Sequence, residues 1–389
     1  MRPFREHHIL QILDRFDKEL SSNRSIPLDL FLKTHFRKNK AIGSNDRKSI
    51  ADSIYGIMRW KGLLDHLANS GEASWEERVA LYQRISPKTF LEQTAIPPHI
   101  RVSFPHWLFS LLEKRLSTQE AIALCTTCNE KAPFTIRANG LKTSREALLE
   151  KLGKKWSVSP CVHAPFGITF SEHVHFSSIP LYQQGLFEVQ DEGSQLIAEL
   201  IQASPKGHVL DYCAGSGGKS LAIAPKMQGR GQLFLHDIRP RILQQAKERL
   251  RRAGVQHVQF LSPAHMRRWT SKMDWVLVDV PCSGTGTLRR NPERKWWLHQ
   301  ELLHQFIQKQ REIFKEAYSF LKPGGHIVYA TCSILAEENE EQARWFEAHF
   351  PLERIGTPFS SFPQSGGMDG FFGIVWKDKS DYYRQRCSF

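Results

Sequence analysis

The sequence predicts an α/β protein: a doubly wound, mostly parallel sheet preceded by a small α/β segment and an N-terminal helical region. Three observations predict it. Short apolar strands alternate with amphipathic helices over the second half of the chain, the pattern of a parallel sheet covered on both faces. The first third carries apolar residues at helical spacing only. The chain has 389 residues, enough for two or three domains and at least one full core.

Residues 8–16 place Ile9, Leu10, Ile12, Leu13 and Phe16 at a helical period. Residues 50–67 repeat it through Ile54, Ile57, Met58, Leu63, Leu64 and Leu67. Pro97, Pro98 and Pro105 punctuate, and another helix begins at Trp107. Residues 1–130 are therefore expected to form a helical domain. Residues 134–137 alternate like a strand, Asn139 and Gly140 signal a turn, and Ser144 caps an amphipathic helix reaching Leu152. A small α/β subdomain over 131–190 follows from these signals. From 191 to 389 the reading is Rossmann-like, with strands at 209–210, 231–235, 275–279 and 326–330. Helices are expected over 241–253, 300–321 and 336–346.

Lysine and arginine total 53 against 40 acidic residues, a formal net charge of +13. That excess favours a polyanionic partner, and nucleic acid is the commonest. Arginines cluster at Arg239, Arg241, Arg249, Arg251 and Arg252, at Arg267 and Arg268, and at Arg289, Arg290 and Arg294 with Lys295, which reads as a basic stripe. No segment approaches the roughly 20 apolar residues that span a bilayer. The polar N-terminal stretch has neither an apolar core region nor a small-residue cleavage site, so a cytoplasmic protein without a membrane partner is expected. A monomer is the expected state. The seven cysteines are Cys125, Cys128, Cys161, Cys213, Cys282, Cys332 and Cys387, and their spacing gives no disulfide framework. Cys125 and Cys128 form a lone CxxC with no second ligand pair, so no metal site is expected.

Chemistry concentrates at strand ends. Asp211, Cys213, Ala214, Gly215, Ser216, Gly217, Gly218 and Lys219 follow one strand and open a helix, where glycines let the backbone approach a ligand. The loop is neither a Walker A sequence nor a dinucleotide fingerprint. Asp237 ends the next strand and is suited to a ribose diol. Together they point to a nucleoside cofactor without a pyrophosphate, and S-adenosylmethionine fits. Asp279, Pro281 and Cys282 follow a third strand, and Thr331, Cys332 and Ser333 a fourth. Two thiols at carboxyl ends of strands suit covalent catalysis on cytosine. A thiolate adding to carbon 6 makes carbon 5 nucleophilic, and Asp279 is placed to hydrogen-bond the base edge. A helix starting near Ala336 would lend its dipole to a thiolate at Cys332, against Glu337, Glu338, Glu340 and Glu341. The residues alone leave open which cysteine attacks.

These motifs resemble the bacterial Fmu/Sun (RsmB-type) rRNA cytosine-5 methyltransferases. The resemblance rests on Gln190–Gln195 before the cofactor strand, the 213–219 loop, and Asp279 with Pro281, Cys282, Gly284, Gly286, Arg289, Arg290 and Pro292. It continues through Thr331, Cys332 and Ser333 with Glu337, Glu338 and Asn339, and closes on Asp369, Gly370, Phe371 and Phe372. It is strong over about 187–377 and weaker over 133–152, which resembles the family's small RNA-binding subdomain; 54–67 faintly resembles its NusB-like helical domain. It implies an S-adenosylmethionine-dependent RNA methyltransferase, ribosomal RNA as partner, Cys332 as nucleophile and Cys282 in product release. Gly215 and Ser216 stand where the family usually has Ala-Pro. The acid that the family carries after its third strand to read adenine is missing from 260–265, which leaves Ser262, His265 or a backbone amide as substitutes. An RNA-binding protein of this fold without turnover is the competing class. Amino-group methylation fits poorly, because its Asn/Asp-Pro-Pro-aromatic motif is absent.

Overall fold

The computed structural model describes residues 3–21, 26–68, 73–172 and 174–380; Cys387 lies outside them. The chain divides into two units. The first runs to Lys131 and includes Thr287–Leu302; the second comprises Ala132–Gly286 and the chain from Leu303 on.

The first unit is helical, with long helices at Phe4–Ser21, Leu28–Lys38, Ser44–Leu67, Trp75–Arg84, His106–Arg115 and Thr118–Cys128. Ser74 with Glu77 and Ser117 with Glu120 form capping boxes that satisfy otherwise orphaned backbone donors. Ile12, Leu13, Ile50, Ile54, Leu63 and Leu64 are wholly buried at its centre. The segment Thr287–Leu302 lies inside the stretch 191–389 that the sequence reads as one domain, yet it folds here. Lys295 Nζ donates to Arg59 O at 2.6 Å and Asn129 Oδ1 at 2.7 Å, and Trp296 Nε1 donates to Met58 O at 2.6 Å. Arg59 Nη2 donates to Arg289 O at 2.9 Å. Burial pushes Lys295 down to about 7. Arg289 and Lys295 are each 1% exposed, which removes both from the expected basic stripe.

In the second unit a small antiparallel sheet comes first, in the order β2-β3-β1-β4. Its strands are β1 (Phe134–Ala138), β2 (Val158–Pro160), β3 (Gly167–Phe170) and β4 (Phe187–Val189). Ser144 Oγ accepts Ala147 N–H at 3.1 Å and caps the helix Arg145–Gly153, whose Leu148 and Leu152 pack with Ile136, Ile168 and Phe187.

The larger sheet holds β5 (His208–Asp211), β6 (Gln232–Leu235), β7 (Val258–Phe260), β8 (Met273–Asp279), β9 (Leu321–Thr331), β10 (Leu352–Ser361) and β11 (Phe371–Asp378). Its order is β10-β11-β9-β8-β5-β6-β7, parallel from β9 to β7, with β10 and β11 antiparallel at the other edge. Both faces are buried. Val209, Leu233, Leu235 and Leu277 meet Ala246 and Leu250 of the helix Pro240–Ala253 on one side. Leu210, Phe234, Val276 and Val278 meet Phe314 and Phe346 on the other. The strand order reverses at β5 and β8, and ligands of such sheets bind outside the carboxyl ends at that crevice.

Two expected elements differ. The helix Gln300–Tyr318 stops before Leu321, because β9 already begins there and pairs Leu321 with Met273 ahead of a register shift. The helix expected from Ala336 is a 3₁₀ turn, Ala336–Glu338, followed by a break at Asn339 and the helix Glu340–His349. Asn339 is pinned there: its side chain accepts from Thr331 Oγ1 at 2.6 Å and donates to Ser333 O at 2.9 Å. The helix expected to lend its dipole to Cys332 therefore begins at Glu340 rather than Ala336, with Asn339 before it bonded to the residues on either side of Cys332.

Candidate active site

The loop 211–219 leaves β5 and enters the helix Gly218–Ile223. Gly215 and Gly217 sit at φ +53° and +78°, where side-chained residues are strained. Asp211 is fully buried, and its Oδ2 accepts from Ser220 Oγ at 2.6 Å. Its Oδ1 has no hydrogen-bond partner. Burial pushes the Asp211 carboxyl up to about 7, with the charges of Asp279 and Asp237 adding to the effect and the Ser220 bond opposing it.

Asp237, at the end of β6, is held on several sides. Its Oδ2 accepts Gly215 N–H at 2.9 Å, and its Oδ1 accepts Arg239 N–H at 2.9 Å. The Arg239 guanidinium forks onto both oxygens at 2.8 and 2.9 Å. Burial alone would raise this carboxyl, but the hydrogen bonds from Arg239 and Gly215 win and hold it below the usual range. Cys213 is pushed up by burial and by the carboxylates of Asp279, Asp211 and Asp237, which keeps its thiol neutral. Ala214 N–H donates to His236 O at 2.8 Å, tying the loop to the end of β6. Ser262 Oγ and His265 Nδ1, named above for the missing adenine-reading acid, hydrogen-bond each other at 2.9 Å on an exposed turn.

Beside this loop the ends of β8 and β9 bring the remaining residues together. Cys282 Sγ and Cys332 Sγ are 3.4 Å apart. Lys219 Nζ meets Asp279 Oδ2 at 2.6 Å, with the side chains 10% and 29% exposed. Burial would lower the Lys219 ammonium, but Asp279, Cys332 and Asp211 together raise it, so it stays a full positive charge. The Cys282 thiol is held well above its ordinary value by its hydrogen bond with Cys332, by burial, and by the negative charge of Glu338.

Glu338 is the part of the site that sequence reasoning missed. It is fully buried and accepts Ser283 N–H at 2.9 Å, Ser283 Oγ–H at 2.5 Å and Gln310 Nε2–H at 2.9 Å. It thereby anchors the turn that carries Cys282. The sequence names Glu338 in the 337–339 motif and as one of four acids near Cys332, but which of the four is buried depends on Ser283 and Gln310, distant in sequence. Gly286 does a related job by having no side chain. Its N–H donates to Cys332 O at 2.9 Å, and a Cβ there would stand 2.1 Å from Gly370 O and 2.8 Å from Cys332 O.

The residues present fit S-adenosylmethionine. The glycines open a cradle, Asp237 offers an ionised carboxylate just past a strand end, the chemistry a ribose diol needs, and the orphaned Asp211 oxygen suits a ligand with a cationic end. Among the described residues no group of side chains could hold a metal ion, and no helix is long and apolar enough to cross a membrane.

Fold and loop define the class, a Rossmann-like methyltransferase. A family profile described as 16S rRNA methyltransferase RsmB/F matches residues 198–372, and a second, described as an RsmF/B-like ferredoxin-like domain, matches 104–177. The ribosomal RNA small subunit methyltransferase B of Proteus mirabilis is 34% identical over 338 residues, covering 83% of this chain and 75% of that protein. The probable counterpart in Synechocystis is 30% identical over 273 residues, covering 68% of this chain; the chain spans 61% of that protein. The crystal structure of a methyltransferase homologue from Pyrococcus horikoshii superposes with a TM-score of 0.62 at 24% identity, over 76% of this chain and all of that one, a likeness of fold. The chain belongs to the 16S rRNA methyltransferase RsmB/F family, whose methyl donor is S-adenosylmethionine.

Proposed function

We propose that this chain methylates carbon 5 of a cytosine in ribosomal RNA, through a covalent adduct between Cys332 and carbon 6 of the base. The observation that carries the reading is the pair of thiols 3.4 Å apart beside the Lys219–Asp279 ion pair. An amino or hydroxyl acceptor would need no thiol, whereas carbon 5 needs the ring activated first.

The cofactor, when bound, supplies an electrophilic methyl group; Asp237, Asp211 and the 213–219 loop are the residues that would hold it. The chain's own groups do the rest. The Lys219 ammonium attracts a thiolate at Cys332. As the C6–S bond forms, the C5=C6 electron pair is pushed through the ring and a proton enters at N3, leaving carbon 5 enamine-like. Asp279, with one oxygen on Lys219, accepts a hydrogen bond from the base edge and holds the ring in place. Once carbon 5 is methylated, its proton is given up to solvent, the double bond re-forms, the C6–S bond breaks, and the proton that N3 took from solvent returns there. Cys332 then leaves as a thiolate. Cys282, kept protonated by its hydrogen bond with Cys332, by burial and by the charges of Cys332 and Glu338, donates its S–H to the departing sulfur, which is its part in release.

We assign methyl transfer to the 191–389 region, RNA binding to 131–190, and an accessory role to the helical 1–130 region. The reading carries with it a cytoplasmic monomer acting on RNA. Bisulfite sequencing of ribosomal RNA from cells with and without this protein tests it. One cytosine protected only when the protein is present supports the reading, and identical patterns refute it.

A further inference from the structure

Arg137 on β1 and Glu188 on β4 are direct cross-strand partners, so both project from the same face of the small sheet. They are 5% and 2% exposed, a burial that charged side chains tolerate only when paired. Arg137 reaches the cofactor loop directly, and Glu188 reaches it through the helix Pro240–Ala253. Arg137 Nη1 donates to Gly218 O at 3.0 Å and to the Gln190 side chain. Glu188 accepts from Arg252 and from Arg249 Nε and Nη2 at 3.1 and 3.0 Å. Arg249 then reaches on, donating Nη1–H to Ser216 O at 2.9 Å and Ser216 Oγ at 2.6 Å. The two gripped carbonyls flank Gly217, whose φ is +78°. A peptide unit is planar, so fixing a carbonyl also fixes the amide that joins it to the next residue.

Attachment of the small sheet does not need this arrangement. Asn139 Nδ2 donates to Ala253 O at 2.8 Å and Lys142 Nζ to Arg252 O at 2.7 Å, both at the C-terminal end of the helix Pro240–Ala253 and away from the loop. We propose that Arg137 and Glu188 are positioning residues of the cofactor site, holding the 215–218 loop from the small sheet with Arg249 as intermediary. The site thus draws on a strand pair outside the 198–372 region that the methyltransferase profile matches.

Calorimetry of S-adenosylhomocysteine binding to the full-length chain tests this, with thermal melts as the check on folding. Glu188→Gln should raise the Kd on the order of tenfold, the scale of one charge-assisted hydrogen bond. Ser216→Ala should raise it by roughly two- to fivefold, because the bond to Ser216 O remains. Since both act through Arg249, the double variant should lose less than the product of the two. Lys142→Ala, on the same docking surface but off the loop, should stay within about twofold. Unchanged affinity in Glu188→Gln, multiplicative losses, or an equal loss in Lys142→Ala overturns the proposal. If Glu188→Gln does not fold, Ser216→Ala decides alone, and an unchanged Kd there overturns it.

Discussion

Replacing Asp237 is the sharpest probe of how the cofactor is held, because the structure gives this side chain one task and the proposed function gives it a second. Its carboxylate is 4% exposed and accepts from Gly215 N–H as well as from Arg239, so it shapes the loop while standing ready for a diol. Asp237→Ala removes an ionised acceptor, and hydrogen bonds to charged groups are worth roughly 1.5–3 kcal/mol, about a ten- to hundred-fold rise in Kd. Arg239 complicates the magnitude, because its fork occupies both oxygens that a ribose would use. The Arg239 side chain is 63% exposed, so solvent screening leaves its hold at about 1 kcal/mol or less. Arg239→Ala should therefore tighten binding by up to roughly fivefold, opposite in sign to Asp237→Ala. Calorimetry with S-adenosylhomocysteine reads both. Unchanged affinity in a folded Asp237→Ala chain removes Asp237 from the site, and weaker binding in Arg239→Ala refutes the competition between guanidinium and ribose.

Three further expectations follow from the same geometry. Asp211 has its folded value raised from 3.8 to about 7, so the stability it lends to the cofactor-free chain is full below its unfolded value and is lost as pH rises through about 7. A cationic cofactor favours the ionised form, so its binding below about pH 7 should release a proton, seen as buffer-dependent heats, and Asp211→Asn should abolish that dependence. Glu338→Gln turns an amide donor against the Ser283 and Gln310 donors; it should cost roughly 1–3 kcal/mol in urea unfolding and lower the pH midpoint for alkylation of Cys282. An unchanged midpoint would show that Glu338 does not act on the thiol. RNA affinity should fall steeply with salt through the exposed Arg241, Arg251, Arg267 and Arg268, and a flat salt series refutes phosphate contact by these side chains.

The strands at 209–210, 231–235 and 275–279 were legible because a sheet buried on both faces writes itself as uninterrupted apolar runs. The pairing of Cys282 with Cys332 was legible for a related reason: parallel strands deliver their carboxyl ends to one edge. What stayed hidden depends on contacts between residues distant in sequence. Lys295 and Arg289 look like surface cations, yet both are buried, Lys295 with its ammonium on Arg59 O and Asn129. The break at Asn339 follows from its bonds to Thr331 and Ser333, which helix propensity does not register. Arg249 reads as one arginine in a basic cluster, yet it spans Glu188 and Ser216.

The covalent mechanism is tested most directly on one denaturing gel, with substrate RNA, cofactor, and the Cys332→Ala and Cys282→Ala chains side by side. The two sulfurs are 3.4 Å apart, so the gel asks which of two neighbouring thiols forms the adduct. Cys332→Ala should lose methyl transfer and form no adduct, because no thiolate remains to attack carbon 6. Cys282→Ala should still attack and methylate, and without the donor to the departing sulfur its protein–RNA adduct should accumulate and survive denaturation. An adduct in Cys332→Ala reverses the two roles, and methylation retained by both variants contradicts covalent catalysis at this site.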